Sequence, residues 1–310
     1  MKLLFTNSGR RTYMVNYAKD ISNTKIYLTD TNNYVPTFFQ KGITKFITCK
    51  VKNNEKKYLS QIIKYVKKSK INIIIPLSDH DLILLSKNKN LFAKLGCKVI
   101  ISSVDFIKNC LNKKKMYFNC KKNNINVPIS FFSKNKIKFP LIKKKIFGSG
   151  SEGIQYINNK KEIKKNIDFK NFFLQKKIIG TEFGVDIFND PNNSFFRICI
   201  KKKILMRSGE TDRSILVEDK KIYNFAKKIL DTFNHNGNLD CDIIKDKKGK
   251  LFLIDINPRF GGGYPSTHLG GFNFLKYLLT QGKHNMPKKY NKIHVSKGIS
   301  VYKKSNLNNK

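Results

Sequence analysis

The chain has 310 residues, 40% hydrophobic and 12% aromatic, enough for two or three packed units and too apolar for a disordered chain. No apolar run approaches the roughly 20 residues of a membrane helix. The N-terminus turns polar at Asn7 without building a signal-peptide core, so the expected setting is the cytoplasm. The formal charge of +41 favours polyanions at low salt, yet only six of the 62 basic residues are Arg, and Lys is spread along the whole chain. Clustered Arg forks with interleaved aromatics are missing, so no specific nucleic-acid partner is expected. Six scattered cysteines without C-x-x-C spacing read as small buried hydrophobes.

Apolar runs and helical periods alternate over the first hundred residues. Strands are predicted at 2–6, 25–29, 45–48, 71–76 and 98–101, and helices at 11–21, 59–68 and 81–94. In the second helix Leu59, Ile62, Ile63 and Val66 form one face. This rhythm predicts a doubly wound parallel sheet with a ligand crevice beyond its strand C-termini, where Asn7 to Arg11, Asp30, Ser78 and Asp79 fall. Two helices follow, 104–111 and 113–123, stopped near Pro128. The pattern then turns antiparallel, with strands at 139–144, 153–157, 173–177, 183–189, 195–200 and 203–207. A helix at 220–233 precedes strands at 238–245 and 250–256, a Gly-rich loop and a last helix at 273–279.

Gly148-Ser149-Gly150-Ser151-Glu152-Gly153 matches G-x-G-x-x-G, but a strand pattern follows it where a dinucleotide fold needs a helix. It reads instead as a hairpin tip, able to offer backbone N–H groups to a triphosphate. Strand parity aims Lys144 at the pocket beneath that tip and sends Lys143 and Lys145 to the other face. Further on, Asp240 and Asp242 share one face of a strand, and Asp255 and Asn257 one face of the next. Antiparallel pairing gathers Asp242, Asp255 and Asn257, two carboxylates and an amide oxygen suited to Mg²⁺ or Mn²⁺. Arg259 stands two positions on, ready to fork onto a phosphate. His268 admits acid–base chemistry, although a lone His is more often structural.

In order and spacing these motifs resemble the ATP-grasp superfamily, in its branch similar to the carbamoyl-phosphate synthase large subunit and the pyrrolysine-pathway ligase. The segments that carry the resemblance are Asn112-Lys113, the strand and hairpin from Phe139 to Gly153, Phe173-Leu174-Gln175, Gly180-Thr181-Glu182, Gly237 to Asp242, and Asp255-Ile256-Asn257-Pro258-Arg259 with its Phe-Gly-Gly-Gly-Tyr-Pro extension. The resemblance implies an α/β (α+β) chain with a Rossmann-like pre-ATP-grasp domain at 1–102. The N-terminal lobe of the grasp domain, with helix pair and flap, would be 103–175, and its metal-bearing C-terminal lobe 176–310. It implies ATP held by Lys113, Lys144, Gly148, Ser149, Gly150, Ser151, Gly153, Gln175, Lys176, Ile178, Glu182 and Glu210, with the metal on Asp242, Asp255 and Asn257. Arg259, Arg207 and Lys144 would carry catalysis, in a ligase that activates a small-molecule carboxylate as an acyl phosphate for attack by an amine. The chain departs from the family pattern at Lys145, Ile146, Lys176 and Asp255, the last replacing the usual Glu with one methylene less of reach. A non-catalytic ATP-binding protein of this fold and a basic nucleic-acid-binding protein are the competing readings.

Overall fold

The computed structural model describes residues 1–133, 137–148, 153–163, 167–207, 209–289 and 293–296. Strands β1 (Lys2–Thr6), β2 (Lys25–Asp30), β3 (Ile43–Ile47), β4 (Ile73–Pro76) and β5 (Lys98–Val99) pair in parallel in the order β3-β2-β1-β4-β5. Their apolar runs are buried on both faces, as parallel strands sandwiched by other layers require: Leu3, Phe5 and Ile75 face one core, Leu4 and Ile74 another. Helices α1 (Thr12–Lys19), α2 (Glu55–Ser69), α3 (Leu82–Lys87) and α4 (Lys89–Lys94) connect these strands. Asn54 caps α2 by accepting from the Lys57 N–H at 2.8 Å, and the i, i+4 series Tyr58, Ile62 and Val66 is its buried stripe. The strand order reverses between β1 and β4, which opens a crevice at their C-terminal ends.

Helices α5 (Val104–Leu111) and α6 (Lys113–Lys122) lead into a small antiparallel sheet. It is made of β6 (Ser130–Phe131), β7 (Leu141–Lys145), β8 (Gln155–Ile157) and β9 (Phe172–Lys176), in the order β6-β9-β7-β8. The larger antiparallel sheet contains β10 (Gly180–Asp190), β11 (Phe195–Arg207), β12 (Glu210–Leu216), β13 (Gly237–Asp246), β14 (Leu251–Asn257) and β15 (His294–Ser296). Its order is β14-β13-β10-β11-β12-β15, and α7 (Lys220–Phe233) packs on it. Alternation puts Phe183, Val185 and Ile187 against α7 and leaves Glu182, Gly184 and Asp186 on the opposite face. The helix pair, grouped with the small sheet in the sequence reading, buries Phe106, Cys110, Met116 and Cys120 in the core of the large one. Short helices α8 (Tyr264–Leu269) and α9 (Phe274–Leu279) join Phe188 and Cys199 to the N-terminal sheet through Tyr264 and Phe274. The N-terminal sheet and the large sheet therefore share one core, and the crevice of the first opens onto the polar face of the second.

Several elements differ from expectation. The helix at 81–94 is two, divided at Asn88. The strands expected at 195–200 and 203–207 are one continuous β11, because Lys201 and Lys203 face a polar site and so do not break the strand. Glu210–Leu216, read as loop, is β12, and α8 lies within the expected Gly-rich loop. Among the described residues no helix is long and apolar enough to cross a membrane.

Candidate functional site

The polar face of the large sheet is a lattice of opposed charges. In register, Asp242 stands opposite Asp255 and Asp240 opposite Asn257 across β13 and β14. Gly184 and Asp186 on β10 stand opposite Asp242 and Asp240. Lysines from β11 cross this face. Lys203 Nζ donates to Glu182 and to Asp242, each at 2.6 Å, and Lys201 Nζ donates to Asp186 at 2.5 Å. Burial works against both ammonium groups, but the facing carboxylates outweigh it and hold their pKa values above the ordinary lysine range. Asp240 is pushed up to about 6, first by burial and then by Asp186 and Asp242.

Between the small sheet and the large one lies a cavity of about 310 Å³. Ile142, Ile154, Tyr156, Ile178, Ile244 and Ile254 give it apolar walls, while Lys113, Lys144, Glu182, Asp242 and Asp255 line its polar part. Such a division suits a flat aromatic base joined to phosphates. Lys113, at the start of α6, reaches across to Asp255. Burial raises the Asp255 pKa, but Lys113 and then Lys144 more than cancel this and keep it below the usual carboxylate value. Lys144 is buried and donates to Gln175 Oε1 at 2.9 Å. Burial lowers its pKa, which Asp255 partly offsets.

A second cavity, of about 400 Å³, occupies the crevice of the N-terminal sheet. Asn7, Ser8, Gly9, Arg10 and Arg11 follow β1, and Leu77, Ser78 and His80 follow β4. The opposite wall is Lys203, Glu210, Asp240, Arg259, Gly262 and Gly263. Asp242 and Asp255 line both cavities, so the two spaces meet at that pair. Loop and sheet are stitched together here. Arg11 donates to the Phe260 carbonyl, Tyr13 to the Gly261 carbonyl at 3.0 Å, and Arg10 pairs with Glu210 at 3.2 Å. The glycines permit this close fit. A Cβ at Gly261 would come within 2.1 Å of the Asp240 carboxyl, and one at Gly262 within 2.8 Å of Glu210.

The predicted residues distribute unevenly. Lys113, Lys144, Gly148, Ile178 and Glu182 line the first cavity, and Arg259 and Asn257 the second. Gln175 stands behind Lys144 and donates to Ser130 at 3.1 Å, outside the lining, and Lys176 is exposed. Glu210, grouped with the nucleotide residues, lines the other cavity. Arg207 is 57% exposed at the end of β11 and pairs with Asp212 at 3.3 Å. Lys145, expected to face away, lines the first cavity with Lys144, because it ends β7 and its stem runs beneath Gly148 and Gly153. Ser149, Gly150 and Ser151 lie outside the described residues. His268 stacks on Tyr17 with ring centroids 3.6 Å apart, and burial lowers its pKa to about 4, which fits packing between domains. Lys201, Lys203, Asp186, Arg10 and Arg11 were not singled out individually. The alternation Glu182-x-Gly184-x-Asp186 against Lys201-x-Lys203 was the readable signal, hidden by the abundance of Lys.

Among the described residues no three His, Cys, Asp or Glu side chains gather closely enough to hold a metal by themselves. The donors present nonetheless fit a hard cation that shares its shell with phosphate. Asp242 and Asp255 are opposed, and Asn257 spends its amide N–H on the Asp240 carbonyl at 3.4 Å, which leaves Oδ1 as an acceptor. Arg259 bonds Asp79 at 3.0 Å and approaches Asp240 at 3.6 Å. Burial opposes its charge, and these two carboxylates outweigh it.

Residues 3–100 match the model of the PylC-like N-terminal domain, and residues 110–263 match that of an ATP-grasp domain. The chain belongs to the ATP-grasp superfamily. It is 24% identical over 200 residues to the carbamoyl phosphate synthase large chain of Buchnera aphidicola subsp. Acyrthosiphon pisum, covering 56% of this chain and 18% of that one. This ATP-grasp chain therefore spans under a fifth of the length of the curated relative it matches. The same fold occurs in an L-amino acid ligase from Bacillus licheniformis, with TM-score 0.72, 15% identity, and 91% of this chain and 73% of that chain covered. It also occurs in N5-carboxyaminoimidazole synthetase from Staphylococcus aureus complexed with ADP, with TM-score 0.72, 18% identity, and coverage of 94% and 79%. Biotin carboxylase from Campylobacter jejuni gives TM-score 0.72, 16% identity, and coverage of 94% and 73%.

Proposed function

We propose that this ATP-grasp protein is an ATP-dependent, Mg²⁺- or Mn²⁺-dependent ligase that activates a small-molecule carboxylate as an acyl phosphate and passes the acyl group to an amine. The observation that carries the reading is the meeting of two cavities at Asp242 and Asp255, one shaped for a base and phosphates, the other polar and open to the N-terminal crevice. The division into a pre-grasp unit at 1–102 and grasp lobes at 103–175 and 176–310 accords with this, since each cavity lies between two of the units. The named relatives include an L-amino acid ligase and a biotin carboxylase, which supports carboxylate chemistry in this fold.

In this reading the ribose hydroxyls bond Glu182, and Lys113 and Lys144 hold the phosphates. A carboxylate oxygen in the second cavity forms a bond to the γ-phosphorus as the bond to the β–γ bridging oxygen breaks, and ADP leaves. The amine nitrogen then attacks the acyl carbon, inorganic phosphate departs, and the amine loses a proton to water. Asp242, Asp255 and Asn257 would hold a divalent ion, which would supply charge neutralisation to the phosphates. Arg259, fixed by Asp79 and Asp240, offers its remaining N–H groups to an oxyanion in the second cavity. Arg207 acts from the rim, and Glu210 contacts the carboxylate- or amine-bearing substrate.

The test is a screen of amino acids and other carboxylates, with and without amines, for Mg²⁺-dependent ADP release. Stimulation by particular carboxylates, with amide formation when an amine is added, is the expected result. Nucleotide binding without ADP release in any combination would leave a non-catalytic ATP-binding protein and end the ligase reading.

A further inference from the structure

Lys203 stands where the two cavities meet. Its side chain is 6% exposed, its ammonium touches Glu182 and Asp242 at 2.6 Å each, and it lines the second cavity while both partners line the first. Lys113, from the nucleotide side, holds Asp255 in the same way. Each carboxylate shared by the cavities thus carries one lysine, and the two lysines come from opposite sides. An ammonium and a divalent cation compete for the same carboxylate oxygens at contact distance, because the two positive charges repel and the oxygens are few. The Lys203 stem is also confined. It passes over Gly184, where a Cβ would stand 3.4 Å from Lys203 Cε and 3.4 Å from Lys201 Cε. An ammonium displaced from Asp242 therefore has a short path, along Glu182 or into the second cavity. Arg259, the other strong cation of that wall, is already tied to Asp79 and Asp240.

We infer that Lys203 is a further phosphate-clamping residue, which holds Asp242 before nucleotide arrives, yields that carboxylate to the divalent ion, and turns to the phosphoryl group as it passes to the acceptor cavity. The inference rests on the ligase reading of the site. Lys203 keeps its proton throughout; it contributes charge where the bond from carboxylate oxygen to phosphorus forms and the bond to ADP breaks.

Two readouts on the full chain test this, using Lys203→Met and Lys203→Arg. The first is binding of a non-hydrolysable ATP analogue across a Mg²⁺ titration, which needs no turnover. Lys203→Met removes the rival cation and lowers the Mg²⁺ concentration for half-maximal binding severalfold. Lys203→Arg holds Asp242 with a fork and raises it. The second is carboxylate-dependent ADP release. Lys203→Met loses roughly 100-fold in kcat with KM for ATP within about threefold of the parent, and the Arg variant recovers part of the loss. An unchanged Mg²⁺ requirement in both variants overturns the inference, as does a loss of turnover that only tracks weaker ATP binding. If Lys203→Met does not fold, the Arg variant decides through its Mg²⁺ titration. A parent chain that releases no ADP with any carboxylate overturns the ligase reading instead, while the titration still reports whether Lys203 competes for Asp242.

Discussion

Asp242 and Asp255 face each other across two antiparallel strands, and each is the floor of two cavities at once. Two carboxylates this close repel unless cations stand between or beside them, and Lys113 and Lys203 do so. Replacing Asp255 by Asn together with Asn257 by Ala removes a charge and an oxygen from the proposed metal set. Mg²⁺-supported nucleotide affinity is expected to fall by about 100-fold, on the order of 3 kcal/mol, while affinity measured in EDTA changes little. Equal affinity in parent and variant across the Mg²⁺ range would remove the metal from these residues.

Lys144 is a buried cation that lines the cavity between the small and large sheets. Lys144→Met keeps the apolar stem and deletes the charge, so ADP formation should drop by roughly 100- to 1,000-fold without loss of folding. The pH sign follows from burial, which lowers its pKa below 10.5. Between that lowered value and 10.5 the unfolded chain binds more protons, so this lysine's contribution to stability rises with pH. Its contribution to catalysis falls over the same window as the charge is lost. A pH–rate profile whose alkaline limb disappears in the Met variant is the expected signature.

The glycine run divides into two tests. Gly261→Ala drives a methyl to within 2.1 Å of Asp240, so loop or strand must move, at a cost of roughly 1–3 kcal/mol. Gly262→Ala meets the more flexible Glu210 side chain at 2.8 Å. It should leave the denaturation midpoint nearly unchanged and raise KM for the carboxylate or amine. A Gly262 variant with altered ATP affinity and unaltered substrate KM would move Glu210 back to the nucleotide.

The two arginines rank by burial. Arg259 is held on Asp79 and Asp240 inside the second cavity, whereas Arg207 is exposed beside Asp212. Arg259→Ala should lower kcat by roughly 100-fold or more, and Arg207→Ala should change mainly KM for the carboxylate, by about tenfold or less. Steady-state kinetics with saturating ATP separates the two.

The doubly wound sheet and the strands β13 and β14 were legible because their residues are locally consistent. Ile73, Ile74 and Ile75 form a continuous apolar run of the kind buried parallel strands show, and Asp255-Ile256-Asn257 alternates one polar face against one apolar face. Lys201 and Lys203 were illegible for the opposite reason. Sixty-two basic residues conceal this pair, and only the partners across the sheet, far away in sequence, distinguish them. Lys145 was misplaced because strand parity holds only while the pleat is regular, and β7 ends at that residue. The crevice at Asn7 to Arg11 was predicted from topology alone, yet Glu210 of its opposite wall came from a strand the sequence read as loop.

His235 supplies a prediction independent of ligand. It is 1% exposed, its Nε2 lies 2.8 Å from the Ile187 carbonyl, and burial lowers its pKa from 6.5 to about 4. The folded chain thus holds a neutral imidazole that donates through Nε2, while the unfolded chain takes up a proton as pH falls below 6.5. Between 6.5 and about 4 the unfolded state binds more protons, so stability is full above that window and is lost on descending through it. The loss from His235 is roughly 3 kcal/mol at most. His268, more exposed and stacked on Tyr17, adds a smaller loss of the same sign. General repulsion in a chain of charge +41 also grows in acid, so the parent alone cannot isolate the imidazole. His235→Gln retains an N–H donor without a titrating group. Urea midpoints at pH 7 and pH 4.5 should show the parent more stable than the variant at neutrality, with the gap closing in acid. A gap that stays constant would mean that His235 is not the group taking up the proton.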